Sequence, residues 1–170
     1  MPVRISDFGT KIALWAKNTK KNMTRYIQST CNEFAEEIIT TAPCDTGGYI
    51  GNWTPSINIA ETSNDFVPGP SKYRRGGTIF VGAMTEVNRA RAIAHVRKKL
   101  AVVIPQVHAH NVFYFTNGIR YARYVEYGGG NTRPYAVVRR AYHAVRRKIE
   151  QSATFGTGKG SQVKRGRRFE

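Results

Sequence analysis

The chain has 170 residues, with 27 Lys and Arg against 11 Asp and Glu, a formal net charge of +16 and a pI near 10.3. Apolar residues make up 41%, enough to argue against wholesale disorder and for one core of the kind that about 100–200 residues share. The longest apolar run is six residues (Leu100 to Pro105), the first ten residues lack a signal-peptide pattern, and two cysteines make no disulfide framework, so secreted, membrane-spanning and metal-cluster classes are disfavoured.

The first element is a long helix. Phe8, Ile12, Trp15, Thr19, Met23, Tyr26, Cys31, Phe34 and Ile38 recur mostly at steps of three or four, the period of one helical face. From Asp7 to Thr41, where Pro43 enforces a stop, such a helix is about 50 Å long. That exceeds the width of a small domain, so the helix must project, kink or pack against a neighbouring subunit.

Ala42 to Gly48 (APCDTGG) then reads as a turn, with Asp45 as its cap and Gly47 supplying a left-handed backbone. Asn52 to Ala60 alternates as a strand, which Pro55 confines to an edge or bulge. Glu61 to Gly77 reads as an exposed loop, and Thr78 to Gly82 as a short strand. Met84 to Val103 is a second helix, with an apolar stripe at Val87, Ala90, Ala94 and Leu100 and a basic remainder.

Asn111 to Thr116 is rich in aromatic and β-branched residues and predicts a strand, followed by an Asn117-Gly118 turn. Ile119 to Tyr127 fits a strand or a helical turn. Tyr135 to Ser152 is a helix with Val138, Tyr142, Val145 and Ile149 on one face. The pattern predicts an α+β fold, in which a long N-terminal and a C-terminal helix pack on a small antiparallel sheet with a basic helix in the middle. Residues 1–152 form one domain, and residues 153–170 form a flexible basic tail.

The charge rises along the chain. Residues 1–60 carry 6 basic and 5 acidic groups, residues 61–132 carry 10 and 4, and residues 133–170 carry 11 and 2. Such a gradient fits a face that meets DNA or an acidic protein, with Arg139, Arg140, Arg146, Arg147, Lys164, Arg165, Arg167 and Arg168 as its contacts.

Catalytic patterns are scarce. His108 and His110 lack a third ligand at metal-site spacing, the carboxylates are scattered, and neither Gly128-Gly129-Gly130 nor Gly156 to Gly160 has the frame of a phosphate loop. The expectation is a non-enzymatic protein with no catalytic, cofactor-binding or metal-binding residues and no cofactor. Glu126, set among Tyr121, Tyr124 and Tyr127, needs a cationic or backbone donor, and an arginine within the subunit or across the subunit boundary is the expected partner.

Two stretches together resemble a known family. Pro43, Asp45, Thr46 and Gly47, followed by Asn52-Trp53 after a long helix, form the first. The second is a strand followed by Asn117, Tyr121, Ala122, Glu126, Tyr127 and Gly128, then Arg133-Pro134 and a helix. In order and spacing they resemble the tail-completion or head–tail joining (neck) proteins of long-tailed bacteriophages. Gly48-Tyr49 departs from the Arg/Ala-Leu pair common there, and residues 61–110 are longer and more basic.

The resemblance implies a structural virion subunit at the head–tail junction or tail, assembled in the host cytoplasm. Its partners would be copies of itself in a ring, a hexamer being one stoichiometry, and neighbouring head-completion, tail terminator or tail tube proteins. Genomic DNA in the channel is a further partner, and a membrane is not. The alternative is a sequence-independent DNA-binding protein acting through its basic C-terminal half.

Overall fold

The computed structural model describes residues 5–70, 83–129 and 133–157. Helix α1 spans Ile5–Thr41, and a single turn, α2 (Gly48–Gly51), leads into strand β1 (Trp53–Ile57). Helix α3 (Ala83–Val103) ends in a 3-10 turn at Ile104–Gln106, and strand β2 (Phe113–Asn117) follows. Two helices close the order, α4 (Ala122–Tyr127) and α5 (Val137–Thr157). The mixed helix and sheet architecture agrees with the sequence reading. The expected strand at Thr78 to Gly82 lies outside the described residues.

The sheet is one antiparallel pair, β1 with β2, in a register that sets Trp53 opposite Asn117 and Pro55 opposite Phe115. Among the described residues each strand has one edge without a strand partner, which is where a proline is tolerated. The core gathers Ala35, Ile38, Ile39 and Ala42 of α1, Tyr49 and Ile50 of α2, and Trp53 of β1. Ala92, Val96 and Leu100 of α3 meet them, with Val137 and Ala141 of α5. Only the C-terminal half of α1 reaches this core, because every residue from Ile12 to Met23 is exposed. At about 1.5 Å per residue the 37-residue helix is about 55 Å long. The first half therefore extends beyond the body of its own chain.

Three expectations need correction. The buried stripe of α3 is Asn88, Ala92, Val96 and Leu100, whereas Val87, Ala90 and Ala94 face outward. Both sides of this helix carry small apolar residues, so periodicity alone could choose the wrong one. On α5 the buried residues are Val137, Ala141 and Val145, while Tyr142 and Ile149 lie on the outer flank. In the 61–70 stretch, Phe66 is buried against the core rather than exposed. Its backbone N–H donates to the Asn52 side chain, 3.2 Å away, which carries the loop inward. Ile119 to Tyr127 resolves as a turn and the short helix α4. α5 continues to Thr157, past residue 152 where the composition turns Gly- and Ser-rich, and residues 158–170 lie outside the described residues.

Candidate functional site: the joint between the two motifs

The turn after α1 is fixed by its backbone. Gly47 has φ +80°, and a Cβ there would lie 2.8 Å from the Asn88 carbonyl oxygen, so glycine is needed both for the left-handed conformation and for the close approach of α3. The Gly51 N–H donates to the Gly47 carbonyl at 2.8 Å, and the Gly69 N–H donates to that of Thr46 at 2.8 Å. Thr46 Oγ1 accepts from the Gly48 N–H at 3.3 Å. Asp45 contributes its main chain, whose carbonyl accepts from Asn88 Nδ2 at 3.0 Å. The same amide donates to the Pro70 carbonyl at 3.0 Å. Asn88 is therefore a buried polar residue with both donors used, as burial requires.

The second motif meets the first at the sheet. Asn117 Nδ2 donates to the Tyr49 carbonyl at 2.8 Å, and its Oδ1 accepts from the Ile119 N–H at 3.1 Å. One asparagine thus forms its own turn and ties α2 to β2. Asn52 ties α2 to the following loop, donating to the Gly48 carbonyl at 2.9 Å and accepting from the Phe66 N–H at 3.2 Å. Trp53 stacks on Phe115 with ring centroids 4.9 Å apart and meets Tyr49 edge-on at 5.9 Å. Among the described residues its buried Nε1 has no acceptor, a loss of about 1–3 kcal/mol. Trp53 is kept for its ring surface.

Within its own chain Glu126 takes the backbone donors that its burial called for, and among the described residues no arginine side chain of the same chain meets it. Its Oε2 accepts from the Val138 N–H at 3.0 Å and its Oε1 from the Arg139 N–H at 3.3 Å. These donors are unpaired first-turn groups of α5, where a negative charge also complements the helix dipole. Just before them Ala136 has φ +48°, a conformation costly for any residue with a side chain. It is held by Tyr135 N–H to the Val125 carbonyl (2.9 Å) and Ala136 N–H to that of Glu126 (3.2 Å). Gly128, at φ +76°, ends α4, and Ala122 packs on the core. The motif residues from Asn117 to Gly128 therefore clamp the start of α5 onto the sheet.

Between the two motifs lies a cleft of about 420 Å³, walled by the Pro43–Tyr49 turn on one side and by Tyr121 and Tyr135 on the other. Burial pushes the Cys44 thiol above its ordinary 9.0, so it stays protonated near neutrality and donates to the Thr85 carbonyl at 3.7 Å. Burial, then the nearby Asp45, also raises the Tyr121 hydroxyl. The cleft thus presents neutral hydroxyl and thiol groups beside the Asp45 carboxylate, suited to packing and hydrogen bonding.

Arg139, Arg140, Arg146 and Arg147 are all exposed on α5, and none of them lines this cleft. Arg146 pairs with Glu150 at 2.7 Å. Lys164, Arg165, Arg167 and Arg168 lie outside the described residues. His108 and His110 are exposed, with their rings stacked 5.8 Å apart. Among the described residues no group of three His, Cys, Asp or Glu side chains is placed to hold a metal ion, and no helix is long and apolar enough to cross a membrane.

Sequence reasoning passed over Tyr49 and Asn88. Tyr49 gave no signal beyond its place after Gly48. Asn88 did give one, since it sits four residues before Ala92 in the series Ala92, Val96 and Leu100, a polar residue on a buried face. Compared with protein-family models, with curated proteins and with solved structures, the chain gives no match.

Proposed function

We propose that the chain is a structural, non-enzymatic subunit of a phage neck or tail, a tail-completion or head–tail connector protein that assembles with its own copies into a ring. The observation that carries this reading is the joint. The two motifs that resemble the neck family, 64 residues apart at Trp53 and Asn117, pair directly in the sheet. Asn117 and Glu126 spend their side chains on main-chain hydrogen bonds of the same joint. A catalytic site commonly holds groups tuned and free to react, whereas this one holds a scaffold together. The full chain is expected as a ring-sized particle by native mass measurement and as a component of purified particles of the phage that encodes it. A monomer absent from such particles overturns the reading.

The exposed arginines of α5 support the second reading, sequence-independent DNA binding. It requires tight binding by the isolated monomer, with log K falling against log salt by about 0.9 per phosphate contacted.

A further inference from the structure

The projecting half of α1 is two-sided. At 100° per residue, Ile12, Trp15, Thr19, Met23 and Tyr26 fall on one stripe, and Lys17, Lys20, Lys21 and Arg25 fall on the other sides. Trp15 is 69% exposed and Met23 57%. Farther along, Ile27, Cys31 and Ile38 turn toward the body, so the outer stripe is not a continuation of the core-facing one. A row of large apolar side chains held in water, with the charges sorted away from it, marks a surface that another surface covers.

The body carries a groove suited to it. Between α1, β2 and α5 lies an apolar groove of about 460 Å³, floored by Phe34, Phe113, Val145 and Ile149, with Cys31 in its wall. This is within the range of roughly 300–1,000 Å³ that receives compact ligands, room for an indole beside an aliphatic side chain. Its rim holds Glu150, already matched by Arg146, and the adjoining hollow holds Glu33, matched by Lys148. Such exposed pairs are weak and can be shared with an arriving lysine. The groove along α3 is edged by Arg89, Arg97 and Lys98 against Glu86, with Glu36 already paired to Arg97, and the one beside α4 is lined by Arg123 and no acid, so both are more basic and disfavour a lysine-bearing helix. Charge therefore selects the α1–β2–α5 groove.

Trp15 cannot enter the groove of its own chain. It lies 16 residues from Cys31 on one continuous helix, about 24 Å along the axis. A knob and a hole on separate parts of one chain make a head-to-tail contact, which repeats and closes a ring when the rotation closes. We infer that the Ile12–Tyr26 stripe of α1 packs into the α1–β2–α5 groove of a second copy of the chain. This inference rests on the ring reading above and names the contact that builds the ring.

The native Cys31 provides the test. In a Cys44→Ser background, Ile12→Cys and Thr19→Cys are made separately in the full chain, oxidised mildly, and the links mapped by peptide mass. A disulfide needs Cα atoms within about 7 Å, so a link from the arm to Cys31 can form only between copies. At least one variant is expected to give that link, in a ladder of multimers. In parallel, Trp15→Asp is expected to weaken self-association about 30-fold or more, as loss of a buried aromatic anchor does, with an unchanged thermal melt. Links of arm to arm, or none to Cys31, overturn the inference. Ring-sized particles that survive Trp15→Asp overturn the arm contact alone. A monomer that instead floats with phosphatidylserine vesicles in a Trp15-dependent way assigns the arm to a lipid surface and overturns it too. A monomeric chain absent from phage particles overturns the functional reading as well.

Discussion

The joint and the arm spend the same kinds of side chain in opposite ways. At the joint, Trp53 is 5% exposed and lies between two rings, and Asn52, Asn88, Asn117 and Glu126 each satisfy main-chain groups. On the arm, Trp15 is 69% exposed, and the helix around it has no neighbour in its own chain from Ile12 to Met23 among the described residues. The comparison teaches that, on the proposed reading, stability and assembly are kept apart. Damage to the joint should unfold the subunit, and damage to the arm should leave it folded but alone.

The largest expected effect comes from the ring stack. Trp53→Ala should cost about 3–5 kcal/mol in chemical denaturation, the range for emptying an aromatic core site. Trp53→Phe should cost far less, since it keeps the stack on Phe115 and removes an unpaired buried N–H. Gly47→Ala should cost about 1–3 kcal/mol, through a positive φ and a Cβ too near the Asn88 carbonyl. A melt unchanged by Gly47→Ala would show that the turn and α3 can separate freely.

Glu126→Ala should cost about 0.5–2 kcal/mol, the usual loss for a helix N-terminus stripped of its acceptor. Amide exchange at Val138 and Arg139 should quicken more than exchange at the sheet, which locates the loss at the start of α5.

Asp65 gives a smaller, pH-dependent effect. Its hydrogen bond and charge pairing with Lys99 hold the carboxyl well below its ordinary 3.8. A carboxyl depressed by folding stabilises above its unfolded pKa and loses that contribution as pH falls toward the folded value. With Asp65 half exposed, the pair is worth about 0.5–1 kcal/mol. Asp65→Asn should therefore lower stability by that amount at pH 7, with the difference from wild type shrinking below about pH 4. The smallest effect belongs to the arm. Ile12→Ala with Trp15→Ala should move the melt of the dilute subunit by less than about 0.5 kcal/mol, as exposed substitutions do.

How much of this was readable in the sequence differs by element. The length of α1, the Pro43 stop and the left-handed Gly47 follow from local chemistry and could be read directly. The two motifs could be read as a set, although their meeting through Trp53 and Asn117 depends on long-range pairing. The face of α3 could not be chosen, because Ala90 and Ala94 look as apolar as Ala92 and Val96. Phe66 was hidden by the Ser, Asn and Asp around it. Which backbone groups meet Glu126 could not be read, because an open helix terminus is a property of the fold, and composition points only to arginines. The basic residues expected to meet DNA or an acidic partner divide between exposed positions of α5 and residues outside the described ones.

The bond from Asn117 to the Tyr49 carbonyl joins residues 68 positions apart. During synthesis from the N-terminus at about 5–20 residues per second, the α2–β1 segment waits about 3–14 s for its partner. Through that interval Trp53 and the unpaired edges of β1 stand open, next to an arm whose apolar stripe is already helical in design. Fast local helix formation in α1, on the order of microseconds or less, precedes the sheet by many orders of magnitude. On the ring reading proposed above, a nascent chain would offer its arm before it has a body to assemble, and correct rings would depend on keeping young arms apart until β2 arrives. The +16 charge of the chain, with Lys17, Lys20, Lys21 and Arg25 beside the stripe, supplies that mutual repulsion from the first helix onward.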